Sequence, residues 1–226
     1  MKTAADQRER IRKAIEALEE RERQKAKAAG IEPGSIDPQT QYNFTDPDSR
    51  IMPDGANRGS FVQAYNGQAM VDAKAQIIVA AKTTPAPQDK RQLVPMREMT
   101  IENLGLWPEE ILSDAGYFSE AQIREVEQRG IEVYRPPEAG KAAGREACPR
   151  GRHPEDETFA QRMRRRVRSE KGRKHYGRRK CILEPVFEQI KQGRGLRQFR
   201  TRGLQKVRGE WRLIALTHHL AMLYWT

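Results

Sequence analysis

Ile111-Leu-Ser-Asp114-Ala-Gly-Tyr-Phe-Ser119 is the stretch on which the fold turns. A short apolar run, Ile111 and Leu112, ends on an acid and a glycine-containing turn, which is how a buried strand delivers a carboxylate at its C-terminal end. Ser119 followed three residues later by Gln122 spells a capping box, and Gly130 stands where that helix would close. Ile131 to Tyr134 returns as a strand. Strand, helix and strand in such close succession predict a βαβ unit and hence a parallel pair.

Working upstream, Phe61 to Val71 and Gln76 to Lys82 are extended runs rich in Val, Ile and Tyr, separated by the polar stretch Asp72 to Ala75. They predict an antiparallel hairpin. A hairpin added to a parallel pair implies one mixed sheet with helices packed on it. Leu93, Met96, Met99 and Leu104 recur at helical intervals within Asp89 to Leu104, with Pro95 in the first turn or at a bend. Residues 4 to 29 carry Ile11, Ala14, Ile15 and Leu18 at helical spacing among Glu, Lys, Arg and Ala, and Gly30 follows as a stop. From Ile31 to Asn57, Pro33, Pro38, Pro47 and Pro53 alternate with Gly, Asp, Ser and Asn, which is linker or pinned-loop chemistry. Residues 1–57 thus read as a charged helix plus a Pro-rich linker, and 58–226 as the main domain.

Downstream, Pro136 to Pro154 is a Gly, Pro and Ala loop, expected to be mobile. A basic helical stretch follows, with Arg162, Arg164, Arg165, Arg166, Arg168, Lys171, Arg173, Lys174, Arg178, Arg179 and Lys180. A run of one sign and this length favours phosphate contacts over a merely solvated face. Gly203 to Thr226 closes the chain as a helix whose Trp211, Ile214, Leu216, Leu220, Leu223 and Trp225 are expected in the core.

Composition narrows the class. The 226 residues carry a formal charge of +11 and only 37% apolar residues, so an acidic polymer is the natural partner. No apolar run approaches the roughly 18 to 20 residues needed to span a bilayer, and charges occupy the place of a signal-peptide apolar core. Cys148 and Cys181 have no CxxC or CxxH spacing and read as free thiols in a reducing compartment. A cytoplasmic protein without a membrane partner is expected.

The chemistry centres on two carboxylates. Acids at a strand end and on a later helix can converge beside a sheet, where hard divalent cations such as magnesium prefer oxygen ligands. Two such ions can activate an attacking oxygen and stabilise the leaving one in phosphoryl transfer. Taken alone, Asp114 has a bland explanation as a cap or turn residue. The second acid stands in Tyr176-Gly-Arg-Arg-Lys180-Cys-Ile-Leu-Glu184-Pro-Val-Phe-Glu-Gln-Ile-Lys191. Seven positions after Glu184, Lys191 returns to nearly the same helical face. Leu183, Val186, Phe187 and Ile190 supply an apolar side. Pro185 disfavours helix at Glu184, so a helix start or kink is expected there, and a start would put Glu184 at the N-cap.

Several stretches taken together resemble the C-terminal halves of bacterial DDE insertion-sequence transposases: Asp46-Pro-Asp48-Ser-Arg50, Tyr65-Asn-Gly-Gln68-Ala-Met-Val-Asp72, Asp114-Ala-Gly-Tyr-Phe-Ser119, Glu184-Pro-Val-Phe-Glu-Gln-Ile-Lys191 and Gly203-Leu-Gln-Lys-Val-Arg-Gly-Glu-Trp-Arg-Leu213. The similarity runs from about Asp46 to the C-terminus. It implies an α/β, ribonuclease-H-like fold, magnesium or manganese, and two aspartates and a glutamate acting on DNA phosphodiesters at transposon ends and target. By resemblance, Asp114 matches the second aspartate and Glu184 the glutamate, both as metal ligands. Tyr176, Lys191 and either Arg179 or Lys180 match a DNA-binding Tyr, Arg, Glu, Lys signature. Arg179 has the family's gap to Tyr176 and Lys180 its gap to Glu184. On a continuous helix Lys180 lies about 40° from Glu184 and Arg179 about 140° away, which favours Lys180.

The first aspartate of the family lies in an Asp-Gly-Thr-like context on the first strand, and no Asp-Gly-Thr occurs here. Asp54-Gly55-Ala56 sits in a turn-rich loop and is a poor substitute, and Asp48 and Asp72 read as structural. The mixed sheet is therefore expected to lack its first strand, and the metal site its first acid. Three readings follow: an impaired portion of a transposase, nucleoid-associated; a non-enzymatic DNA-binding remnant that modulates a full-length transposase by competition or mixed assembly; and a stand-alone nuclease of the same fold.

Overall fold

The computed structural model describes residues 3–55, 57, 59–137 and 156–225. Two compact units divide the chain, Met1–Ala64 and Tyr65–Thr226. Cys148 and most of the Pro136 to Pro154 loop fall outside the described residues.

The first unit opens with α1, Ala4–Ala29. Thr3 and Asp6 form a reciprocal capping box at its start, and Gly30, at φ 68°, ends it in the left-handed region. Of the proposed apolar stripe, Ala14 is buried but Ile11 and Ile15 are about half exposed. The segment read as a linker contains a strand. β1, Arg50–Pro53, pairs antiparallel with β2, Phe61–Ala64. Its Pro53 sits at the strand end, where the missing N–H costs no ladder bond. Arg21 packs over the Tyr42 ring and Arg10 over Phe44, so cation–π contacts tie the loop to the helix.

The second unit begins where the expected hairpin strand breaks in two at Tyr65. β3, Asn66–Val71, pairs antiparallel with β4, Ile78–Thr84, through a bulge at Met70 and Val71. Asp72 closes the turn by accepting from the backbone N–H groups of Lys74 and Ala75, which confirms a structural role for that acid. α2, Leu93–Leu104, carries Pro95 in its first turn. β5, Glu110–Leu112, and β6, Glu132–Tyr134, form the expected parallel pair around α3, Glu120–Glu127. Ser119 is the N-cap of α3, but the capping box does not form. Gln122 spends its side-chain oxygen on the Val94 N–H of α2 instead, at 3.3 Å.

The expected single mixed sheet is not formed. β3–β4 and β5–β6 are separate two-stranded sheets, and among the described residues no strand joins them. Each sheet has its own core. One gathers Leu93, Ile111, Ile123, Val126, Val133 and Met163; the other gathers Ile78, Val186, Ile190, Trp211, Ile214 and Ala215. α4, Phe159–Arg168, joins the first through Phe159 and Met163.

The long helix α5, Glu170–Glu188, follows at a corner that only glycine permits. A Cβ on Gly172 would lie 1.8 Å from the Arg166 carbonyl oxygen. α5 neither starts nor breaks at Pro185. Proline removes the N–H that would meet the Cys181 carbonyl one turn earlier, and Gln76 Nε2 donates to that carbonyl at 2.9 Å. Gln76 reaches it from a left-handed backbone at φ 56°. A π-turn, Gln189–Gly193, ends the helix. α6, Leu204–Trp225, closes the chain. Trp211 and Ile214 are buried as expected, whereas Leu216, Leu220 and Leu223 are 53%, 55% and 75% exposed, because α6 packs along one face only. Trp211 Nε1 donates to the Gln68 carbonyl at 2.8 Å, the partner a buried indole requires.

Candidate functional site

Asp114 stands at the C-terminal end of β5, exposed, as the N-cap of a 3₁₀ turn over Ala115–Tyr117. Its Oδ1 accepts from the Gly116 N–H at 3.0 Å. The main chain beneath it is clamped from below. Arg135, fully buried just beyond β6, donates from Nε to the Asp114 carbonyl at 2.8 Å and from Nη2 to the Ala115 carbonyl. The Phe118 ring covers its guanidinium at 4.6 Å. Burial draws Arg135 down to about 9, opposed by the charge of Asp114, so the group keeps its proton at neutral pH.

A second carboxylate shares this corner. A Cβ built on Gly116 would lie 2.9 Å from Asp89 Oδ2 and 3.2 Å from Asp114 Oδ1, so the two acids flank one backbone atom. Asp89 Oδ1 accepts from Asn66 Nδ2 at 2.6 Å and from Gln68 Nε2 at 2.7 Å, which holds the other oxygen toward Gly116. Tyr117 donates its hydroxyl to Gln68 Oε1. Burial, then the charges of Asp89 and Asp114, raise the Tyr117 hydroxyl well above its ordinary value and keep it a donor. Sequence reasoning missed Asp89. It precedes a helix in a polar stretch, where an acid ordinarily reads as a cap, and its pairing is long-range.

α5 supplies the basic side. Tyr176 and Arg179 are half-buried, and Arg179 lies over the Tyr176 ring at 5.7 Å. Burial raises the Tyr176 hydroxyl, with Arg179 and Arg135 opposing and Asp114 reinforcing the shift, so these four groups sense one another. Arg179 also lines a groove that Asp114 lines. Lys180 is exposed and does not line it. The helical-angle argument compared each residue with Glu184, whereas it is Asp114 and Tyr176 that Arg179 faces.

Glu184 itself is exposed, and the groove takes Ile182 and Leu183 from its turn of α5 but not Glu184. Lys191 is exposed too, with its ammonium 5.2 Å from the centre of the Phe187 ring. The π-turn through Lys191 departs from the α-helical step, so the seven-residue spacing from Glu184 no longer defines one face.

Among the described residues, no three His, Cys, Asp or Glu side chains are grouped to hold a metal ion. The residues as placed therefore do not fit a divalent ion, because Asp114 turns its carboxylate to Gly116 while Glu184 faces outward.

The basic run divides by use. Arg165 pairs with Glu157, Arg166 with Glu127 and Lys171 with Glu132, so these cations serve the fold. Arg173, Lys174, Arg178 and Lys180 are exposed on α5. Among the described residues, no helix is long and apolar enough to cross a membrane.

No curated protein and no solved structure matches this sequence. A family model described as Transposase DDE domain matches residues 30–220, most of the chain. An acid at a strand end beside Tyr176 and Arg179, on a basic α/β scaffold, agrees with that match, and the chain belongs to the transposase DDE domain family.

Proposed function

We propose that the chain is a catalytic portion of a DDE insertion-sequence transposase, with a ribonuclease-H-like layout, that handles DNA but does not complete strand cleavage and transfer alone. The observation that carries this reading is Asp114 at the end of β5 with Tyr176 and Arg179 turned toward it. Asp114 and Glu184 are the two acids this chain contributes. Tyr176, Arg179, Lys180 and Lys191 contact DNA phosphates, joined by the exposed Arg173, Lys174 and Arg178. Magnesium or manganese is the cofactor of such chemistry and would supply charge neutralisation at the phosphate. The sequence contains no Asp-Gly-Thr, so a further carboxylate beside Asp114 is required before an ion can be held.

The test is an assay of the purified chain on duplex carrying the ends of its element, with magnesium. Binding without cleavage or joining is expected, and the affinity should fall steeply with salt. Magnesium-dependent cleavage abolished by Asp114→Ala would overturn the impairment. Failure to bind DNA at low salt would overturn the reading itself. A DNA-binding remnant that modulates a full-length transposase is the second reading; it is favoured by the outward placement of Glu184 and requires binding to survive Glu184→Ala.

A further inference from the structure

We infer that the groove between β3 and β5 is a strand-acceptor site. It takes one extended segment of a separate polypeptide, with apolar side chains at alternate positions. The inference stands on the fold alone and does not depend on the transposase reading.

β3 is paired on one edge by β4 and β5 on one edge by β6, and among the described residues neither has a strand on its other edge. Between them lies a cavity of about 440 Å³. Met70 and Val71 line it from one strand, Ile111 and Leu112 from the other, and Met96 of α2 and Leu183 of α5 contribute further apolar surface. An apolar cleft of this kind could in principle take any greasy ligand. The backbone decides otherwise.

On β5, the Glu132 N–H donates to the Glu109 carbonyl at 2.9 Å and the Ser113 N–H donates to the Tyr134 carbonyl at 3.3 Å. Residues 109 and 113 therefore face β6. Strand alternation then turns the N–H and C=O groups of Glu110 and Leu112 to the groove. A hydrocarbon seated there would bury those groups unpaired, at a cost of several kcal/mol for each. An extended chain would instead continue the β5 ladder and cover the free edge of β3, while its alternate side chains fill the apolar space. Two side-chain donors at the same groove are also without partners: Ser113 Oγ and Arg179 Nε are buried and make no hydrogen bond. Polar atoms left over at an apolar cleft call for a polar occupant. Because β5 runs directly into Asp114, a segment paired to it brings its own side chains level with that carboxylate.

The test uses the full chain, amide hydrogen exchange by NMR, and two capped peptides of about seven residues, a usual strand length. One alternates Val and Thr; the other has the same side chains with every second backbone nitrogen methylated. Saturating amounts of the first peptide should slow exchange at Glu110 and Leu112 by on the order of tenfold or more, and the methylated peptide should leave both unchanged. Three results would overturn the inference. These are protection of both amides already present in the dilute chain alone, equal effects of the two peptides, and no slowing at saturation. Neither DNA nor metal enters the assay, so its failure leaves the transposase reading standing, and failed DNA binding leaves the acceptor site standing.

Discussion

The end of β5 and the last turns of α5 carry the two acids that the sequence singles out, and they are held in different ways. Around Asp114, a buried arginine clamps two consecutive carbonyls, a phenylalanine covers that arginine, and Asp89 is fixed on the other side of Gly116. Around Glu184, the apolar neighbours Val186 and Ile190 anchor the helix while the carboxylate stands in solvent. Two motifs of equal compactness in sequence therefore differ in what depends on them. Changes near Asp114 should register as stability, and changes at Glu184 only as function.

The largest break in that contrast is expected from Arg135→Met. It leaves the Asp114 and Ala115 carbonyls without donors in a buried place, and urea unfolding should show a loss of about 3 kcal/mol. Gly172→Ala comes next. Its Cβ meets the Arg166 carbonyl, so the α4–α5 corner must open, at about 1–3 kcal/mol by the same measurement. A smaller loss, about 1 kcal/mol, is expected for Asp89→Ala, which strands the Asn66 and Gln68 amides. Glu184→Gln should change unfolding by less than about 0.5 kcal/mol; a loss as large as that of Arg135→Met would erase the distinction between the two regions.

The smallest effect concerns pH. His219 Nε2 accepts from the Ile78 N–H at 3.0 Å. Burial, helped by His218, lowers His219 below its ordinary 6.5. The unfolded chain thus takes up the proton first, so stability is full above about pH 6.5 and declines as the pH falls below it. His219→Gln should flatten that slope in melts between about pH 7 and pH 5.

Much of the second unit was legible in order and kind. The parallel βαβ unit was readable because its signals are local: an apolar run, a turn acid, a helix stop and a second run within one short stretch. Asp114 at its strand end and Asp72 in its turn were readable for the same reason. The joining of the two pairs into one sheet was not, since an edge strand carries no local mark of whether its other edge is covered. Asp89 escaped notice because its partners, Asn66 and Gln68, lie on another element. Pro185 was read as a helix start because proline ordinarily costs a backbone bond, and the compensation comes from Gln76, far away in sequence. The exposed leucines of α6 escaped because a helix buries only the face its neighbours reach, and periodicity does not say which neighbours exist.

Sequence by itself determined the family, the basic charge, the strand that ends on Asp114 and the helix that bears Tyr176, Arg179 and Glu184, since these rest on residue type and short-range spacing. Tertiary structure alone decided that Arg135 clamps Asp114, that Asp89 stands beside it, that Arg179 and not Lys180 lines the groove, and that β3 and β5 face each other across an empty strand position. Each of these is set by long-range packing, where burial and unpaired hydrogen-bonding groups weigh more than any local preference.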